Sequence, residues 1–213
     1  MVQGYAEGLD PDELAFQRLY GPVLASTPQD AAELLDGFGH PWWIAGGWAV
    51  EAFTGVPREH EDVDVSIFRR DVEAFRQHVR GRYHVWSNAG GILRPMTDER
   101  PEPLDDGDQI WLREHALGPW RYDVAVNPDR DGRWVFRRDP ALDFDLDEVT
   151  WVAGDGIRYV TPQMALAYKA RLDRPKDQAD LAATLPLLSD GQRSWLAGMV
   201  DHLHPGHAWL DRL

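Results

Sequence analysis

Residues 62 to 65 read Asp-Val-Asp-Val, and two adjacent glycines, Gly46 and Gly47, stand upstream with fourteen residues between Gly47 and Asp62. In a β-strand, residues i and i+2 point to the same face. Read as a strand, this segment sets Asp62 and Asp64 side by side and turns Val63 and Val65 into the core. Two neighbouring carboxylates repel each other and are costly to desolvate. A divalent cation removes that cost, and an oxygen-only ligand set favours magnesium, with manganese as the alternative. Gly46 and Gly47 follow a short apolar run and open a helix that begins at Trp48. Helix N-termini bind anions, and missing β-carbons let a triphosphate approach the backbone. The combination points to phosphate and metal chemistry. The plainer alternative is a half-exposed strand of alternating acid and valine, reached through a tight strand-to-helix turn.

An apolar residue, Gly-Gly, a spacer and Asp-x-Asp on a strand are filled here by Ala45-Gly46-Gly47 and Asp62-Val63-Asp64. This arrangement resembles the nucleotidyltransferase superfamily, whose fold polymerase beta shares with the small antibiotic nucleotidyltransferases. The longer stretch GGWAVEAFTGVPREHEDVDV looks most like the aminoglycoside and lincosamide nucleotidyltransferases. The detailed resemblance covers residues 40 to 70, with weaker support at Asp123 and at 162 to 181. It implies an α+β nucleotidyltransferase fold, a mixed β-sheet flanked by helices and followed by a C-terminal helical part. It also implies a third carboxylate on a later strand of the same sheet. Asp123 is the best-placed candidate, because Tyr122, Val124 and Val126 share one face of their strand and leave Asp123 on the other. On this reading Asp62, Asp64 and Asp123 are the catalytic and metal residues. Asp62 and Asp64 hold two Mg2+ ions, and Asp123 serves the acceptor hydroxyl as ligand, general base or both. The alternative for Asp123 is an ordinary strand acid or a partner for Arg121. Asp143, Asp145 and Asp147 also alternate, but DFDLDEV reads as a surface segment.

Two cations complete the expected nucleotide site beside Gly46 and Gly47. Arg58 lies just before the carboxylate pair and could meet a phosphate or an acid of the strand. The stretch also resembles the Arg-x-His-x-Asp-x-Asp pattern of the antibiotic-modifying group. His60 reads as a structural hydrogen-bonding histidine, and neither Trp48 nor Glu51 receives a chemical role. Lys169 lies on an apolar helix with Ala165, Leu166 and Ala170, from which it could reach a triphosphate. The Lys-Asp-x-x-Asp-Leu run at 176–181 resembles what nucleotidyltransferase relatives carry after the catalytic sheet. The alternative is a solvated face with pairs such as Lys176–Asp180.

The elements that must position these residues are legible in outline. Residues 10 to 37 read as helical, with Thr27 and Pro28 as an N-cap and first-turn pair and Gly37 and Gly39 as the stop. A buried strand at 42–45 precedes a short helix at 47–53, which Gly55 and Pro57 end. The carboxylate strand spans 62–68, and a helix follows at 70–79 with Val72, Phe75 and Val79 on one face. Strands are expected at 83–86, 91–94, 109–113, 121–126 and 133–137, with 97–108 as a surface loop. From Pro162 the pattern is helical. One helix carries Met164, Leu166 and Ala167, and a second at 177–188 is shortened or kinked by Pro186. Ser189 caps a third, and the tail HPGHAWLDRL reads as ordered but irregular. The break near residue 160 divides a catalytic part with N-terminal helices, 1–160, from a helical region, 161–213.

Composition narrows the partners. With 213 residues and 43% hydrophobic content, a sizeable core is available. Cys 0 excludes disulfides and thiolate metal sites. The N-terminus lacks a basic region followed by an apolar run, and no apolar run approaches the ~20 residues of a membrane span, so a cytoplasmic protein without a membrane partner is expected. Net charge −14 argues against a broad nucleic-acid surface and favours a cationic small-molecule acceptor. The expected activity is metal-dependent transfer of a nucleoside monophosphate, AMP from ATP, to a hydroxyl of an aminoglycoside-like acceptor, with release of pyrophosphate. Three rivals stay open: a toxin–antitoxin-type nucleotidyltransferase that modifies tRNA or protein, a regulatory nucleotide-binding domain without turnover, and a structural domain with an accidental motif. The sequence sets no oligomeric state.

Overall fold

The computed structural model of the protein describes residues 11–105 and 107–213. Two helices open it, α1 (Pro11–Tyr20) and α2 (Pro28–Leu34). The single helix expected over 10–37 is therefore divided, and Asp10 lies outside the described residues. Gly21 takes φ +96 and Pro22 offers no N–H, so the chain leaves the helix there. The linker instead bonds to a distant segment, Leu24 N–H donating to the Trp120 carbonyl at 2.8 Å. Thr27 then caps α2 through a reciprocal box with Asp30, as expected for a Thr-Pro start.

The central sheet has eight strands. In chain order they are β1 (Trp42–Ile44), β2 (Asp64–Phe68), β3 (His84–Ala89), β4 (Ile92–Pro95), β5 (Gln109–Arg113) and β6 (Tyr122–Asn127). A two-residue β7 (Asp129–Arg130), β8 (Arg133–Val135) and β9 (Asp143–Phe144) form a small separate sheet. The last two central strands are β10 (Thr150–Val152) and β11 (Arg158–Val160). The spatial order is β10-β11-β1-β2-β6-β5-β3-β4, with β1 parallel to β11 and β2 parallel to β6, so the sheet is mixed.

Helix α3 (Gly46–Thr54) links β1 to the carboxylate strand, and α4 (Val72–His78) buries Val72 and Phe75 as expected. A short α5 (Leu146–Val149) follows β9. The C-terminal helices are α6 (Pro162–Lys169), α7 (Pro175–Thr184) and α8 (Asp190–Leu203). Pro186 sits in a 3-10 turn that shortens α7, and Ser189 caps α8. The tail is more regular than expected, because Ala208–Asp211 forms a 3-10 turn around Trp209, which is fully buried. One continuous core runs from Ala31 and Phe75 through Val65 and Ile110 to Met164, Leu166, Leu196 and Trp209.

Sequence patterning missed α5, β10 and β11. Segments of three or four residues are too short to display a period. Asp145, read as part of a surface segment despite its alternation, is exposed and is the N-cap of α5.

Candidate active site

Strand β2 begins at Asp64, not Asp62. The expected strand over 62–68, with Asp62 and Asp64 as i, i+2 neighbours on one face, is thus corrected. The Val65 N–H donates to the Val63 carbonyl at 3.0 Å, a tight turn that breaks the alternation. The loop before it folds back on α3 instead of extending. Trp48 Nε1 donates to the Asp62 carbonyl at 2.9 Å. The Trp48 and His60 rings stack at 3.7 Å, and Glu51 Oε2 lies 2.8 Å from His60 Nε2 and accepts from the Arg58 N–H at 3.0 Å. His60 is structural, as read. Trp48 and Glu51, given no role from the sequence, shape the loop that carries Arg58 and Asp62.

The second carboxylate pairing runs across strands. In the parallel β2–β6 pair, Asp64 lies directly opposite Asp123. Two carboxylates in register on neighbouring strands share one face of the sheet. Asp64 opens onto a cleft of about 730 Å³, which Asp62, Gly46, Gly47, Arg58 and Lys169 also line. Asp123 sits behind the wall. Its Oδ2 accepts from Gln109 Nε2 at 2.6 Å, and its Oδ1 is buried without a hydrogen-bond partner among the described residues. Gln109 faces the cleft, and its own Oε1 accepts from Asn88 Nδ2 at 3.0 Å. Gln109 and Asn88 are site residues that no local sequence signal marks.

The electrostatics follow from this crowding. Burial, then Asp64, then Glu61 push the Asp62 carboxyl up to about 6. Burial raises Asp64 against the pull of Lys169, Lys176 and Arg58. Asp64 meets cleft water, yet protein atoms surround its carboxyl on the remaining sides. Burial, then Asp64 and Asp62, hold Asp123 well above the ordinary carboxylate range. In each carboxyl, burial, joined at Asp62 and Asp123 by neighbouring acids, outweighs whatever cations stand nearby, and oxygen-only acids in this state fit a hard divalent cation. Among the described residues, however, no three His, Cys, Asp or Glu side chains stand close enough together to form a ready metal site.

The two glycines are required by the side chains beside them. Gly46 takes φ +63, and a Cβ there would stand 1.7 Å from Asp64 Oδ2. A Cβ on Gly47 would stand 1.4 Å from Arg58 Nη2. Ala45, at the N-cap of α3, provides no side-chain bond, and the first turn holds no acid. The helix therefore opens with uncapped N–H groups between Asp64 and Arg58, the setting that favours an anion.

Lys169 is buried, not on a solvated face. Its Nζ lies 2.9 Å from Asp180 Oδ2 and 3.4 Å from Asp177 Oδ1. The Lys176–Asp180 pair of the alternative, solvated-face reading does not form; Lys176 instead meets Glu61 at 3.1 Å. Arg58 Nε lies 3.3 Å from Asp180 Oδ1, so the arginine pairs with a helix acid and not with an acid of the strand. The cleft wall also carries Arg69, Arg137, Arg138 and Arg174, so its cations outnumber Glu61, Asp62, Asp64 and Asp108. The net charge of −14 is thus not concentrated in the cleft. Several of these cations are neutralised, Arg137 by Asp108 and Arg174 by Asp177.

Comparisons with known proteins agree with this geometry. A family model described as aminoglycoside-2''-adenylyltransferase matches residues 29–85, which include Gly46, Gly47, Arg58, Asp62 and Asp64. A 2''-aminoglycoside nucleotidyltransferase of Escherichia coli is 33% identical over 92 residues, covering 41% of this chain and 46% of the relative. A protein of the same description from Klebsiella pneumoniae matches with the same figures. The chain thus spans about half the length of the curated relatives it matches. The crystal structure of ANT(2")-Ia in complex with adenylyl-2"-tobramycin superposes with a TM-score of 0.50 at 16% identity, over 80% of this chain and 92% of that one. The solution structure of ANT(2'')-Ia gives a TM-score of 0.52 at 16% identity, over 89% and 94%. The fold is that of these nucleotidyltransferases, and the resemblance carried by the glycine and aspartate motifs is borne out.

Proposed function

We propose that this chain is a nucleotidyltransferase that moves a nucleoside monophosphate, AMP from ATP, to a hydroxyl of an aminoglycoside-like acceptor and releases pyrophosphate. The observation that carries the reading is the Asp64–Asp123 register beside the uncapped, glycine-opened start of α3. The partial match to 2''-aminoglycoside nucleotidyltransferases supports the acceptor class. The charge of the cleft does not supply that support, since its cations suit the triphosphate.

The residues divide the work as follows. The α3 N-terminus, with Gly46, Gly47, Arg58 and Lys169, binds the triphosphate and orients its α-phosphorus. The acceptor hydroxyl oxygen attacks that phosphorus in line, the bond to the bridging oxygen of the β-phosphate breaks, and pyrophosphate leaves. Asp123, once ionised, takes the hydroxyl proton: its raised pKa makes the carboxylate a stronger base, and its Oδ1 has no hydrogen-bond partner among the described residues. Gln109 orients that carboxyl from the cleft wall. Asp62, Asp64 and Asp123 would hold Mg2+, as two ions, or Mn2+. Bound there, the metal would offset the charge that develops on the phosphoryl oxygens. The division into residues 1–160 and 161–213 belongs to the same proposal, the helical region closing one wall of the acceptor site.

The test incubates purified protein and Mg2+ with each nucleoside triphosphate and a panel of aminoglycosides, lincosamides, tRNA and bacterial protein extract. Pyrophosphate release and product mass are measured. The expected result is an aminoglycoside heavier by one nucleoside monophosphate, absent with Asp64→Asn. Labelled tRNA or protein with unmodified drugs would replace this reading with the macromolecular rival.

A further inference from the structure

Asp180 is a buried carboxylate whose two oxygens go to two different parts of the chain. Oδ1 faces Arg58 Nε at 3.3 Å, on the loop before β2. Oδ2 faces Lys169 Nζ at 2.9 Å, at the end of α6. The Asp180 side chain is 3% exposed and Lys169 9%, so that pair lies in a medium that screens poorly, while Arg58, 28% exposed, keeps part of its guanidinium open to the cleft. Asp177, one turn earlier on α7 and fully buried, adds a second contact to Lys169 and holds Arg174 at 2.8 Å. Five charges from three segments thus meet at the cleft wall, where Arg58, Lys169 and Arg174 line the cleft and the two acids stand behind them.

The way in which Arg58 is held is informative. Asp180 Oδ1 forms an ion pair with the inner Nε edge at 3.3 Å without hydrogen-bond geometry, and Nη1 donates to the Glu59 carbonyl at 2.8 Å. Nη2 lies over the bare Cα of Gly47 and has no hydrogen bond among the described residues. A planar guanidinium hydrogen-bonded through Nη1 and ion-paired at Nε presents Nη2 in the remaining direction. Here that direction is the start of α3, where the N–H groups are also uncapped.

We propose that Asp180 is the positioning residue of the nucleotide site, gripping Arg58 and Lys169 from behind so that both meet the phosphates in place. The proposal rests on the nucleotidyl-transfer reading above. It gives the second acid of the Lys-Asp-x-x-Asp run a specific duty: Asp180 of α7 sets Arg58 and Lys169 from behind. A buried cation without its counter-charge is costly, so the free protein keeps both side chains ordered before the ligand arrives.

The test measures steady-state kinetics and calorimetric binding of a non-hydrolysable ATP analogue with Mg2+ for wild type, Asp180→Asn, Arg58→Ala and the double variant. Asp180→Asn should raise the nucleotide KM about tenfold, the effect of one charge-assisted contact, while kcat and the acceptor KM stay within about twofold. In the Arg58→Ala background the same change should add less than about threefold, since residues acting through one another are not additive. Where Asp180→Asn does not fold, Arg58→Lys decides. It keeps the charge but loses the Nε grip, and should raise the nucleotide KM by a similar factor. An unchanged KM in Asp180→Asn or Arg58→Lys, a lower one, or an undiminished penalty in the Arg58→Ala background overturns the positioning role. Wild-type protein that binds no triphosphate overturns the functional reading itself, a separate outcome.

Discussion

At the residue scale, the site is a set of acids held in an unfavourable protonation balance. Asp62 is raised to about 6 chiefly by burial, with Asp64 and Glu61 adding to it. A carboxyl whose folded pKa exceeds its unfolded value binds its proton more tightly in the native state. Its contribution is therefore largest below the unfolded pKa and is lost as pH rises through the folded one. For Asp62 that window runs from about 4 to about 6. Asp98, Asp139 and Asp143 are lowered by hydrogen bonds from Arg76, His202 and Arg133, and their stabilisation is lost only in more acidic solution. The two windows do not overlap. Metal-free Asp62→Asn should therefore melt higher than wild type at neutral pH, and the difference should vanish by about pH 4. Calorimetric melts in a chelator across this range check it. Equal melting temperatures at neutral pH would mean that Asp62 is not under strain.

At the element scale, α3 shows how one helix uses glycine in two different ways. Gly55 ends it in the left-handed region at φ +67, with open space where a Cβ would go. Gly46 begins it at φ +63, with Asp64 filling that space. Gly55→Ala should cost about 1 kcal/mol of stability and leave transfer intact. Gly46→Ala carries a similar backbone cost and must also displace Asp64, so transfer should fall by more than about a hundredfold. Parallel melts and rate measurements on the two variants separate the effects. Comparable loss of activity in both would show that the helix termini matter only for folding. Strand β11 teaches a related lesson. It pairs parallel with β1, Ile44 opposite Tyr159, and so fixes the strand from which α3 departs, although its three residues show no pattern in the sequence.

At the scale of the whole molecule, the central sheet and the helical region share one core. Met164, Leu166, Leu196 and Trp209 belong to the same buried cluster as Val65 and Ile44. Trp209 Nε1 also donates to Asp173 Oδ1 at 2.7 Å, tying the tail to the turn between α6 and α7. A fragment of residues 1–160 would expose the apolar surface that these helices cover. It should show no cooperative thermal transition, whereas the full chain should show one. A sharp melt of the fragment, followed by circular dichroism, would establish two independently folding units. No helix among the described residues is long and apolar enough to cross a membrane.

The sequence alone determined those features whose physics is local. Thr27-Pro28 and Ser189 mark helix starts because a cap bonds to an N–H within three residues. Gly55 marks a helix end because only glycine is comfortable in the left-handed region. Gly46, Gly47, Asp64 and Asp123 were legible as chemistry because their types and flanks are unusual for a core. What only the tertiary structure decided depends on partners far away in the chain. Asp62 leaves the strand because Trp48 and a tight turn hold its backbone, which no i, i+2 rule foresees. Gln109 reaches Asp123, and Asp180 reaches Arg58, only after strand register and helix packing have brought them together. Lys169 proved buried rather than solvated for the same reason: α7 supplies two acids that outcompete water for its charge.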